Sequence, residues 1–69
     1  MFGKIEEKIP VEGMMCSHCE MSVERACSSV GAKGKASKDD KCVVVSYHPA
    51  KVSREAIVAA INEAGFEAK

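Results

Sequence analysis

The chain has 69 residues, ten of them Lys or Arg and ten Asp or Glu, so its formal net charge is zero. That length supports one domain, residues 1–69, which buries only ~60% of the unfolded surface and leaves no room for a substrate domain beside the core. The balanced charge speaks against nucleic acid, whose binders carry a basic excess on one face. No apolar run reaches the ~20 residues of a membrane helix, which argues against membrane insertion.

The N-terminal stretch MFGKIEEKIPVEG lacks the charged-then-apolar pattern and the small-residue cleavage site of a secretory signal. The chain is therefore expected to be cytoplasmic. Its four cysteines are then expected to do metal or redox work in a reducing compartment rather than form a disulfide framework.

In chain order, Ile5, Ile9 and Val11 predict a strand ending at Gly13. Pro10 has no N–H for a ladder and belongs at an edge, a strand start or a bulge. From Ser17 the period changes. Cys19, Val23, Ala26, Cys27 and Val30 recur at spacings of three and four, a helix from Ser17 or His18 to Val30 that stops at Gly31. The segment AKGKASKDDK is weakly patterned, with a turn at Asp39-Asp40. The strand before that turn lacks large apolar residues and is expected to be short, mobile or poorly packed.

CVVVSY, Cys42 to Tyr47, is a clear strand. Val43, Val45 and Tyr47 share one face; Cys42 and Val44 share the other. Ser53 is a helix cap, and Val52 and Ile57 stand where a hydrophobic staple needs them. Ile57, Ala60, Ile61 and Ala64 make the apolar stripe of a second helix that Gly65 ends. Phe66-Glu67-Ala68 starts a short last strand. The order β-α-β-β-α-β predicts an α+β, ferredoxin-like sandwich, with two helices on one face of a four-stranded antiparallel sheet.

The stretch GMMCSHC, Gly13 to Cys19, carries the chemistry. A C-x-x-C pair at a loop-to-helix junction sees unpaired N–H groups and a partial positive charge, and both favour thiolate. Two thiolates without carboxylates make a soft site, suited to Cu(I), zinc and similar ions over Mg²⁺ or Ca²⁺. Zinc in a structural site wants four ligands. These would have to include Cys27 and Cys42 or an outside ligand, and Cys42 is expected at the strand end away from the pair. By itself C-x-x-C also serves redox enzymes and zinc knuckles.

Gly13-Met14-Met15-Cys16-Ser17-His18-Cys19 resembles the G-M-x-C-x-x-C signature of the heavy-metal-associated domain family. Ser46 to Ser53 and Ala59 to Phe66 resemble that family's second half, and the histidine in C-x-H-C is most similar to its bacterial, CopZ-type copper chaperones. The resemblance implies Cu(I) bound by Cys16 and Cys19. It implies delivery to the metal-binding domain of a copper-transporting P-type ATPase, with the ion handed from one C-x-x-C pair to another. It gives Met14 as an inward-packed anchor beneath the loop and Phe66 as an aromatic shield beside the metal. His18 is expected to tune thiol acidity and transfer. A copper-bridged homodimer through four thiolates is a further expectation. Two departures stand out: the segment after the first helix is shorter than the family's, and Cys27 and Cys42 are extra. Cys27 reads as a small core residue and Cys42 as a bystander. Met15 and Met21 read as exposed, and the lysines near Asp39 and Asp40 as a solvated hairpin.

The chain thus reads as a binding and transfer protein, not an enzyme. Close variants are an isolated N-terminal domain of a copper ATPase, against which the start at Met1 argues, and a carrier of Hg²⁺, Cd²⁺ or Zn²⁺. The rival of another class is a thiol–disulfide oxidoreductase. Such enzymes typically carry an aromatic before the first cysteine and a proline within the pair; here Met15 and Ser17-His18 stand in those places.

Overall fold

The computed structural model describes residues 4–69. The elements are β1 (Ile5–Glu12), α1 (Ser17–Ser29), β2 (Lys33–Ser37), β3 (Cys42–Tyr47), α2 (Arg54–Glu63) and β4 (Glu67–Ala68). The strands form one antiparallel sheet in the order β2-β3-β1-β4. This is the expected ferredoxin-like arrangement.

The core follows from the two periodicities. Ile9 and Val11 of β1 and Val43, Val45 and Tyr47 of β3 lie on the helix-facing side of the sheet. There they meet Val23 and Cys27 from α1 and Ile57 and Ile61 from α2 in one buried cluster. Val44, of opposite parity, is 38% exposed. The Ser53 hydroxyl accepts from the Ala56 amide at 3.1 Å and so caps α2, while Gly31 and Gly65 leave the helices with φ of 87° and 102°, a conformation that costs a glycine little.

Pro10 departs from expectation, because it sits in β1, an interior strand of the sheet, opposite Cys42. Its carbonyl accepts from the Lys69 amide. Its ring nitrogen therefore faces the β4 side, and the missing donor leaves no gap in the β1–β3 ladder.

β2 corrects the expectation of a short, poorly packed strand. Lys33 to Ser37 pair with Ser46 to Cys42 over the whole strand. Small residues are what the site requires. Gly34 lies under Cys27, whose Sγ is 2.8 Å from where a Cβ at position 34 would be, so α1 can approach the strand only because nothing projects there. The outward edge of β2 is also closed. The Glu24 carboxylate accepts from the Ala36 amide at 3.0 Å, and that of Glu20 from the Lys38 amide at 2.7 Å. Residues four apart on a helix are separated by ~6 Å and residues two apart on a strand by ~6.7 Å, so two carboxylates match two edge amides. Glu20→Ala or Glu24→Ala is expected to cost about 1.5 kcal/mol each, the low end of the range for hydrogen bonds to a charged group because the contacts are half-buried. Urea unfolding together with amide exchange at Ala36 and Lys38 checks this.

Candidate metal centre

The candidate site is built where β1 gives way to α1. Gly13 turns the chain with φ of 103°. A Cβ at Gly13 would stand 3.5 Å from the Phe66 ring, so Phe66 packs against the base of the loop, half-buried. Met14 follows with 8% exposure and joins the core cluster, whereas Met15 is 86% exposed. Neighbouring methionines thus point opposite ways, one holding the loop down and one standing in solvent.

Cys16 is the N-cap of α1, with extended backbone and no side-chain cap. Its carbonyl accepts from the amides of Cys19 at 3.0 Å and Glu20 at 3.2 Å. A serine, threonine, aspartate or asparagine there would use its side chain on the first helical amides; the thiol leaves them directed at the loop. Cys16 is exposed and Cys19 half-buried in the first turn, and their sulfurs are 3.7 Å apart. A hydrogen bond from the Met15 backbone, then the Cys16 thiol, then the Cys16 backbone hold the Cys19 thiol below its ordinary value. These contacts favour its thiolate, the form that binds soft metal. His18 lies between the two cysteines, exposed on the first turn, and Met21 is 55% exposed further along α1.

The other two cysteines are elsewhere. Cys27 is fully buried under Gly34. Cys42 is 5% exposed and opposite Pro10. The expectation that Cys42 lies at the strand end away from the pair is wrong: antiparallel pairing sets the start of β3 against the end of β1, and Tyr47 is the residue at the far end. Proximity of strand ends does not make a cage, however. Among the described residues, no three His, Cys, Asp or Glu side chains come together as metal ligands, so a closed structural zinc site has no donor set here.

Burial, with Glu24 adding to it, pushes the Cys27 thiol up from 9.0 to about 11. The folded state therefore keeps this proton after the unfolded chain has lost it. Its contribution to stability is complete below pH 9 and disappears as pH rises toward 11. The expected loss is about 2–3 kcal/mol. Tyr47, raised by burial and by its hydrogen bond to Glu7, adds to the decline above pH 10. Urea midpoints across this range should fall steeply, and Cys27→Ala should flatten the part between pH 9 and 10.

No family model matches the chain. Individual proteins do. It is 39% identical over 67 residues to the copper chaperone CopZ of Staphylococcus haemolyticus, covering 94% of this chain and 98% of that protein. It is 34% identical over 61 residues to a mercuric reductase of Lysinibacillus sphaericus, but that match spans 88% of this chain and only 11% of the enzyme. Among solved structures, a CopZ metallochaperone superposes with a TM-score of 0.89 at 28% identity, over 94% of this chain and all of the other. A copper-binding domain from HMA7, a P-type ATPase, superposes with a TM-score of 0.88 at 33% identity, over 93% and 89% of the two chains. Identity of this level, end to end with a chaperone of the same length and fold, places the chain in the CopZ family of copper chaperones.

Proposed function

We propose that the protein carries Cu(I) in the cytoplasm, bound between Cys16 and Cys19, and passes it to the metal-binding domain of a copper-transporting P-type ATPase. The observation that carries this reading is a pair of thiols 3.7 Å apart on an open loop at a helix start, one of them acidified by that loop. Two soft donors satisfy Cu(I) and leave its remaining coordination open.

Openness is what transfer needs. A thiolate of the acceptor enters the coordination sphere, a three-sulfur intermediate forms, and one of the original cysteines leaves, so the ion is never free in water. A closed four-ligand site would block the first step. The resemblance to a P-type ATPase domain of the same fold supports an acceptor whose loop mirrors the donor's. In this reading Met14 anchors the loop, Phe66 covers its base, and His18 modulates transfer from the solvent side. With excess protein, one ion can also bridge two loops. The role is binding and transfer, and the matched segment of the mercuric reductase is a small part of that enzyme.

Anaerobic titration with Cu(I) against a competing chelator, repeated with Zn²⁺, tests the reading. One tightly held Cu(I) and weak Zn²⁺ are expected; equal or tighter Zn²⁺ would overturn it. The mercuric reductase match favours one second reading, a Hg²⁺ carrier, and the same titration with Hg²⁺ and with cells challenged by each metal separates the two.

A further inference from the structure

Lys41 closes the turn between β2 and β3 with φ of 55°, and among the described residues it is the one non-glycine with positive φ. That conformation crowds a Cβ against the backbone, so glycine or asparagine would hold the turn with less strain. The position is fixed from the β1 side. Regular β1–β3 pairing ends at Pro10 and Cys42, and the Val11 amide donates to the Lys41 carbonyl at 2.9 Å, one residue nearer the C-x-x-C loop. Lys41 thereby lines a cleft of about 230 Å³ whose other walls are Glu12, Gly13, Met14 and Met15, the four residues that lead into Cys16. Lys41 is exposed, and among the described residues no carboxylate lies within ion-pair distance of it. The neighbouring charges are engaged elsewhere: Lys38 with Asp39 at 3.8 Å, Glu12 with Lys69 at 3.9 Å, and Glu20 with the Lys38 amide at 2.7 Å.

We propose that Lys41 supplies the countercharge of the loaded loop: its ammonium, held at this cleft, offsets the negative charge that Cys16 and Cys19 carry with Cu(I), and so raises the affinity for the ion. The inference rests on the copper reading above. Two thiolates around Cu(I) leave a net negative charge on an exposed loop. From Gly13 to Cys19 that loop has no Lys or Arg. The N-terminus of α1 contributes only a partial positive charge, and Glu12 before the loop adds a negative one. A lysine carries its charge on a flexible four-carbon stem, so an ammonium anchored across one cleft can follow the charge of the loop. Between groups at a wet surface the attraction is modest, and salt screens it. Strain retained beside a binding loop, where glycine would relieve it, is accounted for by a side chain that the loop needs.

Lys41→Gly is the informative variant, because it removes the strain and the charge together. The full chain and its Lys41→Gly, Lys41→Asn and Lys41→Arg variants are titrated anaerobically with Cu(I) against a competing chelator, at low salt and again at high concentration of a salt whose anion does not bind copper. Urea unfolding is read on the same samples without metal. Lys41→Gly should unfold at a higher urea concentration than the natural sequence, yet bind Cu(I) about three- to tenfold more weakly at low salt. Lys41→Asn should show the same loss of affinity, and Lys41→Arg, which keeps the charge, should bind like the natural sequence. At about 1 M salt, where the Debye length is ~3 Å, the differences should vanish. Lys41→Gly that binds as tightly as the natural sequence at low salt would overturn the proposal. So would a loss shared by Lys41→Arg, or one that persists at high salt. A natural sequence that holds no Cu(I) would overturn the copper reading along with it.

Discussion

Gly34→Ala is expected to destabilise the protein by about 1–3 kcal/mol, a large share of what a domain of this size has to lose. The new methyl would lie 2.8 Å from Cys27 Sγ, 3.1 Å from Cys27 Cβ and 3.2 Å from Val43 Cγ2. None of these is the loose end of a flexible side chain. Cys27 is fully buried on α1 and Val43 fully buried on β3, so relief requires moving a helix away from a sheet. Gly34 does not adopt a left-handed backbone, and the cost is therefore one of packing alone. That makes a double-mutant cycle informative. Cys27→Ala removes the sulfur, the closest of the three contacts, but keeps the Cβ at 3.1 Å. Gly34→Ala should cost less in that background than in the natural sequence, without becoming neutral. Urea unfolding of the four variants measures it. Equal costs in both backgrounds would mean that Cys27 and Gly34 are not a matched pair.

The same pair shows where sequence reading stops. α2 was legible because its signals are local: Ser53 caps it, Val52 and Ile57 bracket the cap, and Gly65 ends it, all within one short segment. β3 was legible because Val43, Val45 and Tyr47 alternate with residues facing out. β2 was misjudged because its fitness is defined by residues distant in sequence. Gly34 looks like a weak strand former until Cys27 is seen to occupy the space above it, and the strand's edge looks open until Glu20 and Glu24 reach its amides. Carboxylates four apart on a helix also make a common solvated face, so nothing local singled them out. Placing Cys42 at the wrong end was a different kind of error. Once β1 and β3 are taken as antiparallel neighbours, the start of one must meet the end of the other, and the predicted topology already contained that answer. The loop was the most legible part, because all of its candidate groups but Phe66 fall within seven consecutive residues.

Replacing either thiol of that loop is expected to have the largest effect on metal binding of any single change. Cys16→Ser and Cys19→Ser should each lower Cu(I) affinity by well over the ~100-fold that loss of a mere outer-shell partner costs, since each deletes half of the proposed donor set. Both cysteines are outside the fully buried core, so both variants should unfold near the urea concentration of the natural sequence. Met14→Ala should do the reverse. Its side chain is buried in the core cluster at 8% exposure, and its removal should cost about 2 kcal/mol, the low end of the range for a core methionine because it sits at the rim. Copper affinity of the folded molecules should fall far less than for the cysteine variants. His18→Ala and Met15→Ala should leave stability unchanged and copper affinity close to that of the natural sequence, with His18→Ala altering the rate of transfer. The series separates donors from anchors because it reads binding and unfolding on the same molecules. A sulfur that binds copper moves the first and spares the second, and a sulfur that holds the loop down does the opposite. If Met14→Ala weakened Cu(I) as much as Cys16→Ser while unfolding stayed unchanged, the thioether would be a third ligand, and an ion already held by three sulfurs would enter ligand exchange from a more crowded state.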